Sequence, residues 1–221
     1  QLSKNYFKAI APFVGVDLDV PAPDVNTNPQ VMAWFLDAYE EVTGEKVLGV
    51  VTGKPVELGG LATRIYSTGL GVATVAQSAA KRIWGGLEGR TVAIQGFGNV
   101  GYYTAKFLHE MGARIVAISD IKGGIYSSKG FNPDEVKSYI TSKGSGFVID
   151  YPYRERTITN DELLTSDVDI LVPAAVENVI TKENADRVKA KLIVEGANGP
   201  TTPEAEEVLV RKGVVIVPDI L

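Results

Sequence analysis

Apolar residues recur along this chain with two different periods, and the change of period marks where one kind of element gives way to another. Between residues 29 and 43, Val31, Met32, Phe35, Leu36, Tyr39 and Val42 return every three or four positions, the spacing of one helix face. Asn28-Pro29 opens that segment, because the asparagine side chain can accept from free N–H groups and proline stands where its missing N–H is not needed. Gly44 ends it. Upstream lies Val20-Pro21-Ala22-Pro23-Asp24-Val25, where two prolines keep the chain extended, so residues 1–50 read as helix, extended segment, helix. Residues 52–60, TGKPVELGG, have turn formers and no period and read as a linker or hinge loop. A helix is predicted over about 69–84, with Val72, Val75, Ala76, Ala79, Ala80 and Ile83 on one face and Gly85-Gly86 as its stop. Trp34 and Trp84 fall on apolar faces and are expected in the core.

From Thr91 onward short β-branched runs alternate with helix-period segments. Strands are predicted at Thr91–Gln95, Arg114–Ser119, Asp167–Val172, Lys191–Glu195 and Val214–Val217. Helices are predicted at Val100–Met111, from Asn132-Pro133 onward, at Thr181–Val188, and from Thr202-Pro203 to Lys212. Strands separated by helices predict an α/β fold with a mainly parallel sheet covered on both faces.

The 221 residues suffice for one large domain or one and a half smaller ones. A net charge of −5 and the lack of any basic run give no bulk attraction for nucleic acid, so no such partner is expected. Cysteine is absent and His109 is the only histidine, which excludes disulfides, thiolate metal sites, a cysteine nucleophile and multi-histidine zinc sites; no metal is expected. The absence of cysteine fits a reducing compartment, and a cytoplasmic location is expected. No apolar stretch reaches the roughly 20 residues of a membrane span, and QLSKNYFKAI has no signal-peptide run, so no membrane partner is expected.

The sharpest local signal is Gln95-Gly96-Phe97-Gly98-Asn99-Val100-Gly101, a G-x-G-x-x-G between a predicted strand and a predicted helix. In that setting Gly96 permits a tight turn, Gly98 lets the backbone approach a pyrophosphate, and Gly101 lets the helix pack close to the strand, with the helix N-terminus facing the phosphates. Asp120 ends the next strand roughly 20 residues later, where the fingerprint asks for an acid to hold the adenosine ribose hydroxyls. These features predict a Rossmann-like, doubly wound domain that binds NAD. The acid disfavours the 2′-phosphate of NADP, yet Lys122 nearby could offset the repulsion, and NADP stays open. Ala174-Ala175 and Gly196-Ala197-Asn198-Gly199-Pro200-Thr201 also follow strands, where small residues let a cofactor approach; Asn198 has the donor and acceptor to hold a carboxamide, and equally reads as a turn residue.

Taken together, Pro21–Thr27 (PAPDVNT), Thr52-Gly53-Lys54-Pro55, Ser67–Val72 (STGLGV), the fingerprint and Glu195–Thr201 (EGANGPT) resemble the glutamate dehydrogenases, with the leucine, valine and phenylalanine dehydrogenases sharing the general plan. The resemblance implies reversible conversion of L-glutamate to 2-oxoglutarate and ammonia with NAD or NADP. It makes Asp24 the proton-shuttling carboxylate, a residue that otherwise reads as a turn aspartate before Asn28. It places Thr68 on the nicotinamide ribose or carboxamide and Asn198 on the nicotinamide side; Arg64 reads equally as a helper there or as a surface charge. His109 matches nothing in the family's site and is expected to be structural or solvent-facing.

The family's glycine-rich, lysine-bearing segment and its later serine-bearing stretch are not recognised in this sequence. The expectation is therefore residues 1–60 as the remnant of a second, catalytic α/β domain with the hinge, and 61–221 as the dinucleotide-binding domain. The chain by itself is expected to bind cofactor without turnover and to be a monomer or dimer, while the parent enzyme forms a homo-oligomer, usually a hexamer. The alternatives are a non-catalytic or engineered NAD-binding module, separated by the full-length gene, and another amino-acid dehydrogenase, separated by substrate profile.

Overall fold

The computed structural model describes every residue except Val25 and Gly144; Val25, in the expected extended segment, lies outside the described residues. The chain divides into two compact units, Gln1–Ile65 and Tyr66–Leu221.

In the first unit, α1 (Leu2–Ile10) and α2 (Pro29–Thr43) pack through Phe7, Met32, Phe35 and Ala38, with Phe7 stacked on Phe35 at 4.4 Å between ring centroids. The start of α2 follows the cap chemistry, since Asn28 Oδ1 accepts from the Val31 N–H at 3.1 Å. Trp34 is a correction: it is 42% exposed, because the buried stripe runs through Met32, Phe35 and Ala38, and Val42 is exposed as well. The 52–60 segment folds back on its own unit. The Thr52 N–H donates to the Pro21 carbonyl at 2.9 Å, Lys54 Nζ donates to the Val51 carbonyl at 2.9 Å, and Val56–Leu58 make a 3₁₀ turn.

The second unit contains α3 (Ser67–Trp84), β1 (Thr91–Gln95), α4 (Asn99–Glu110), β2 (Arg114–Asp120), β3 (Gly123–Phe131), α5 (Pro133–Ser142), β4 (Arg156–Ile158), α6 (Asn160–Leu164), β5 (Ile170–Pro173), α7 (Lys182–Ala185), β6 (Leu192–Val194), α8 (Pro203–Arg211) and β7 (Val215–Val217). They form one sheet in the order β4-β3-β2-β1-β5-β6-β7. Strands β2, β1, β5, β6 and β7 run parallel, and β3 and β4 are antiparallel additions at one edge. Alternation along the strands feeds two cores. Val92 and Ile94 of β1, Ile170 and Val172 of β5, and Leu192 and Val194 of β6 face Ala73, Ala76 and Ala80 of α3 and Ala105 and Leu108 of α4. Ala93, Leu171 and Ile193 face Leu163, Ala185, Ala205 and Leu209 on the other side.

Three expectations change. After β2 the chain does not cross over to a helix but turns back through Ile121-Lys122 into β3, because Asp120 Oδ1 accepts from the Lys122 N–H at 2.8 Å and Gly123 supplies φ +125°. The helix expected over Thr181–Val188 is a single turn, and α6 is an additional short helix opened by a Thr159–Glu162 capping box. On α3, Ile83 is exposed and the buried face is the small-residue stripe Gly69, Ala73, Ala76, Ala80; Trp84 is half-buried against that core.

Asp169 ties β5 to β1 at the strands' starting ends. Its Oδ2 accepts from the Thr91 N–H at 2.9 Å and hydroxyl at 3.0 Å, Oδ1 takes Arg90 at 3.3 Å, and its own N–H goes to Thr91 Oγ1 at 2.9 Å. Burial pushes this carboxyl up, but the Thr91 donors and the Arg90 guanidinium outweigh it and hold it below the ordinary value. A depressed carboxylate stabilises the fold at neutral pH and ceases to do so as pH falls through the carboxylate range, below about 4. Asp169→Ala is expected to lower the urea-unfolding free energy by about 1–3 kcal/mol at pH 7, and by progressively less as the pH falls below about 4.

Candidate functional site

The loops leaving β1, β5 and β6 meet at the carboxyl end of the sheet. Gly96 has φ +93°, a turn that favours glycine, and its N–H donates to the Ser119 carbonyl at 2.9 Å. The Gln95 carbonyl accepts the Ala174 N–H at 2.8 Å, and the Pro173 carbonyl accepts the N–H groups of Gly196 and Ala197 at 3.0 Å each. A Cβ on Gly96 would stand 2.7 Å from the Ala174 oxygen, and one on Gly196 would stand 3.1 Å from Ala174 Cβ and 3.4 Å from Val100 Cγ1. Three segments far apart in sequence therefore press backbone against backbone.

The glycines of the fingerprint divide by what surrounds them. A Cβ on Gly101 would overlap the Gly96 carbonyl and reach Ile94 Cγ2 at 3.4 Å, so Gly101 is needed for α4 to lie against β1. Gly98, at φ −75°, is in ordinary extended backbone, and a Cβ there would meet nothing within 4 Å. Nothing within the protein requires glycine at 98. The open space above it, at the uncapped N-terminus of α4, is where an anionic group would need the bare backbone. That is the fit expected of a pyrophosphate cradle.

Phe97 is buried and packs edge-on to Tyr102 at 5.8 Å, so its side chain belongs to the core and only its backbone borders the open side. Gln95 is buried, and its Oε1 has no hydrogen-bond partner, an orphan acceptor placed directly before the glycine turn. Asn99 is exposed and Val100 half-buried at the start of α4. Ala174 is half-buried, while Ala175 and Asn198 are exposed. The Asn198 loop is braced from the chain's last residues: the Gly199 N–H donates to Asp219 Oδ2 at 2.7 Å, and the Asp219 N–H donates to Glu195 Oε2 at 3.1 Å. Burial pushes the Glu195 carboxyl up from its ordinary value, with the Asp219 charge adding to the rise and hydrogen bonds opposing it.

Asp120 is half-buried at the end of β2, and both its oxygens are engaged. Oδ1 accepts from Lys122 N–H at 2.8 Å and Oδ2 from Val148 N–H at 2.7 Å. A carboxylate has about four acceptor positions, so two such bonds leave room for hydroxyl donors. Lys122 is exposed, with its Nζ 5.5 Å from the centre of the Phe147 ring. Thr68 is exposed in the first turn of α3, next to Gly69, which packs against Tyr103 and Thr104 of α4. His109 is exposed in the last turn of α4. In the first unit, Asp24 is exposed, and its backbone is held by Thr27, whose Oγ1 accepts the Asp24 N–H at 2.6 Å and whose N–H donates to the Asp24 carbonyl at 2.9 Å. Arg64 is exposed in the 3₁₀ turn Ala62–Ile65. A separate concavity of about 670 Å³ lies at the opposite ends of β6 and β7, lined by Lys189, Lys191 and Lys212 among others.

Fold and loops together define a doubly wound α/β domain with a glycine-rich strand–turn–helix of the dinucleotide-binding kind. The chain belongs to the Glutamate/Leucine/Phenylalanine/Valine dehydrogenase family: residues 59–221 match that family, and residues 1–41 match its dimerisation domain. All of the chain aligns with the NADP-specific glutamate dehydrogenase of Saccharolobus shibatae at 58% identity, covering 51% of that protein. It aligns likewise with the glutamate dehydrogenase of Aeropyrum pernix at 60% identity, covering 52% of it. The hetero-hexameric glutamate dehydrogenase of Thermus thermophilus, in a leucine-bound crystal structure, superposes with a TM-score of 0.91 at 37% identity, over all of this chain and 51% of that one. The chain thus spans about half the length of the relatives it matches. Among the described residues, no helix is long and apolar enough to cross a membrane.

The two glycines give opposite expectations. Gly98→Ala should leave stability within about 1 kcal/mol of the parent, a helix-cap effect, while weakening dinucleotide binding. Gly101→Ala should destabilise the fold by several times that amount, because the obstructing atom is backbone carbonyl and cannot swing away. Urea unfolding and calorimetric titration of both variants check the pair.

Proposed function

We propose that this chain is the cofactor-binding part of a glutamate dehydrogenase, taking NAD and NADP at the meeting of the β1, β5 and β6 loops. The observation that carries the reading is Gly98, a glycine with no reason inside the protein and open space above it. A bound nicotinamide dinucleotide supplies the hydride acceptor or donor. The protein's part is to bind and orient: backbone N–H groups at the start of α4 face the pyrophosphate, and Asp120 accepts from the adenosine ribose hydroxyls. Ala174 and Ala175 border the dinucleotide without obstructing it, while Asn198 and Thr68 serve its nicotinamide side.

The reaction proposed for the full-length protein is L-glutamate with oxidised cofactor and water to 2-oxoglutarate, ammonia and reduced cofactor. Asp24 moves protons to and from the nitrogen as the carbon–nitrogen bond changes order, a task that suits an exposed carboxylate on a hydrogen-bonded turn. The full-length protein is proposed to be a homohexamer in the cytoplasm. The present chain is expected to bind cofactor without steady hydride transfer.

Both cofactors are accepted for an electrostatic reason. Each Asp120 oxygen already receives a backbone N–H, which spreads its charge, and Lys122 stands beside it as an exposed cation. The names of relatives, one NADP-specific and another NADP(+)-dependent, support the NADP half of this reading. Calorimetric titration should show saturable binding of NAD and NADP with dissociation constants within about tenfold of each other. Lys122→Ala should weaken NADP by about three- to tenfold in low salt, less in high salt, and leave NAD nearly unchanged. Absence of binding by the folded chain, or equal loss of both cofactors, would contradict this assignment.

A further inference from the structure

Asn160 does not belong to the glycine loops. It is the first residue of α6, forty positions beyond Asp120, on the opposite face of the sheet from α4. Its side-chain amide uses both ends on the last two residues of β2. Nδ2 donates to the Asp120 carbonyl at 2.9 Å, and Oδ1 accepts from Ser119 Oγ at 2.7 Å. The parallel ladder between β1 and β2 ends at Gln95 and Ser119, so Asp120 lies one residue past it. The Asn160 amide thus adds a side-chain bond to the Asp120 carbonyl just beyond the end of that ladder.

The platform carrying Asn160 is itself fixed. Thr159 and Glu162 form a capping box, with the Glu162 N–H to Thr159 Oγ1 at 3.1 Å and the Thr159 N–H to Glu162 Oε2 at 2.7 Å. Arg187 grips Asp161 through two parallel bonds of 2.6 and 2.7 Å. On the other side of the junction, the Ser119 carbonyl takes the Gly96 N–H, and the Asp120 carboxylate takes the N–H groups of Lys122 and Val148. One neutral side chain therefore braces both Ser119, whose carbonyl holds the Gly96 turn, and Asp120, the acid that ends β2.

We propose that Asn160 is a positioning residue for the adenosine half of the cofactor, setting where Asp120 presents its carboxylate relative to the Gly96 turn. This rests on the cofactor site assigned above. Asn rather than Asp is needed because the site asks one side chain both to donate to a carbonyl and to accept from a hydroxyl, and a carboxylate has nothing to donate.

The test is calorimetric titration of the chain with ADP, which carries the adenosine and pyrophosphate and lacks the nicotinamide. Asn160→Ala is expected to bind ADP about five- to tenfold more weakly, the loss of one to two hydrogen bonds. Asp169→Ala, destabilised at the far end of the same sheet, is the control and is expected to keep the parent's ADP affinity. Should Asn160→Ala fail to fold, Ser119→Ala removes one of its two bonds and is expected to weaken ADP about two- to fivefold. ADP affinity unchanged in a folded Asn160→Ala or Ser119→Ala, or lost equally in Asp169→Ala, would overturn the proposal. A parent chain that binds neither ADP nor either dinucleotide would instead overturn the cofactor site, and this inference with it.

Discussion

The approach of α4 to β1 is the constraint on which the site depends. A helix can start directly above a strand only if its first turn comes closer than any side chain allows, and the Gly101 backbone lies where a Cβ would overlap the Gly96 carbonyl. That closeness brings Val100 against Gly196 and turns Gly96 toward Ala174. The loops of β5 and β6 can then settle on the first turn of α4, each held by a carbonyl of the preceding strand end. Lengthening that one distance would separate all three loops together.

A second layer of order is polar and lies at the end of β2. Hydrophobic alternation places the strands but leaves their last residues unpaired, since parallel ladders run out at different points. Here all three bonds from Asn160, Lys122 and Val148 go to Asp120: the Asn160 amide donates to its carbonyl, and the Lys122 and Val148 N–H groups each donate to one oxygen of its carboxylate. An acid held in this way keeps its direction without losing its remaining acceptor capacity.

Much of this was legible in the residues. Asn28-Pro29, Asn132-Pro133 and Thr202-Pro203 announced helix starts that the structure contains, and the strand before Gly96 was visible as a β-branched run. The reversal into β3 was not read, although Asp120-Ile121-Lys122-Gly123-Gly124 carries the turn chemistry for it; GIYSSKGF has too little apolar alternation to stand out as a strand. Thr159-Asn160-Asp161-Glu162 likewise carries a capping-box signature, but the helix behind it is only five residues long and too short to show a helical period. Trp34 and Ile83 were misplaced because periodicity finds a broad apolar stripe, whereas burial depends on which edge of that stripe meets a neighbour. Of the candidate site, the glycine loops could be read locally. The contact of Gly96 with Ala174, and of Asn160 with Ser119, joins residues far apart in sequence and could not.

The reversed hairpin also decides how the sheet ends. A parallel strand at that edge would need a crossover helix and would leave a long open ladder beside it. The antiparallel β3 instead hands the edge to β4, only three residues long, with Arg156 lying over the Tyr126 ring and Thr157 exposed to water. So brief and charged an edge offers little template for a strand from another molecule. Sheet growth from chain to chain is discouraged on this side by the same turn that follows Asp120.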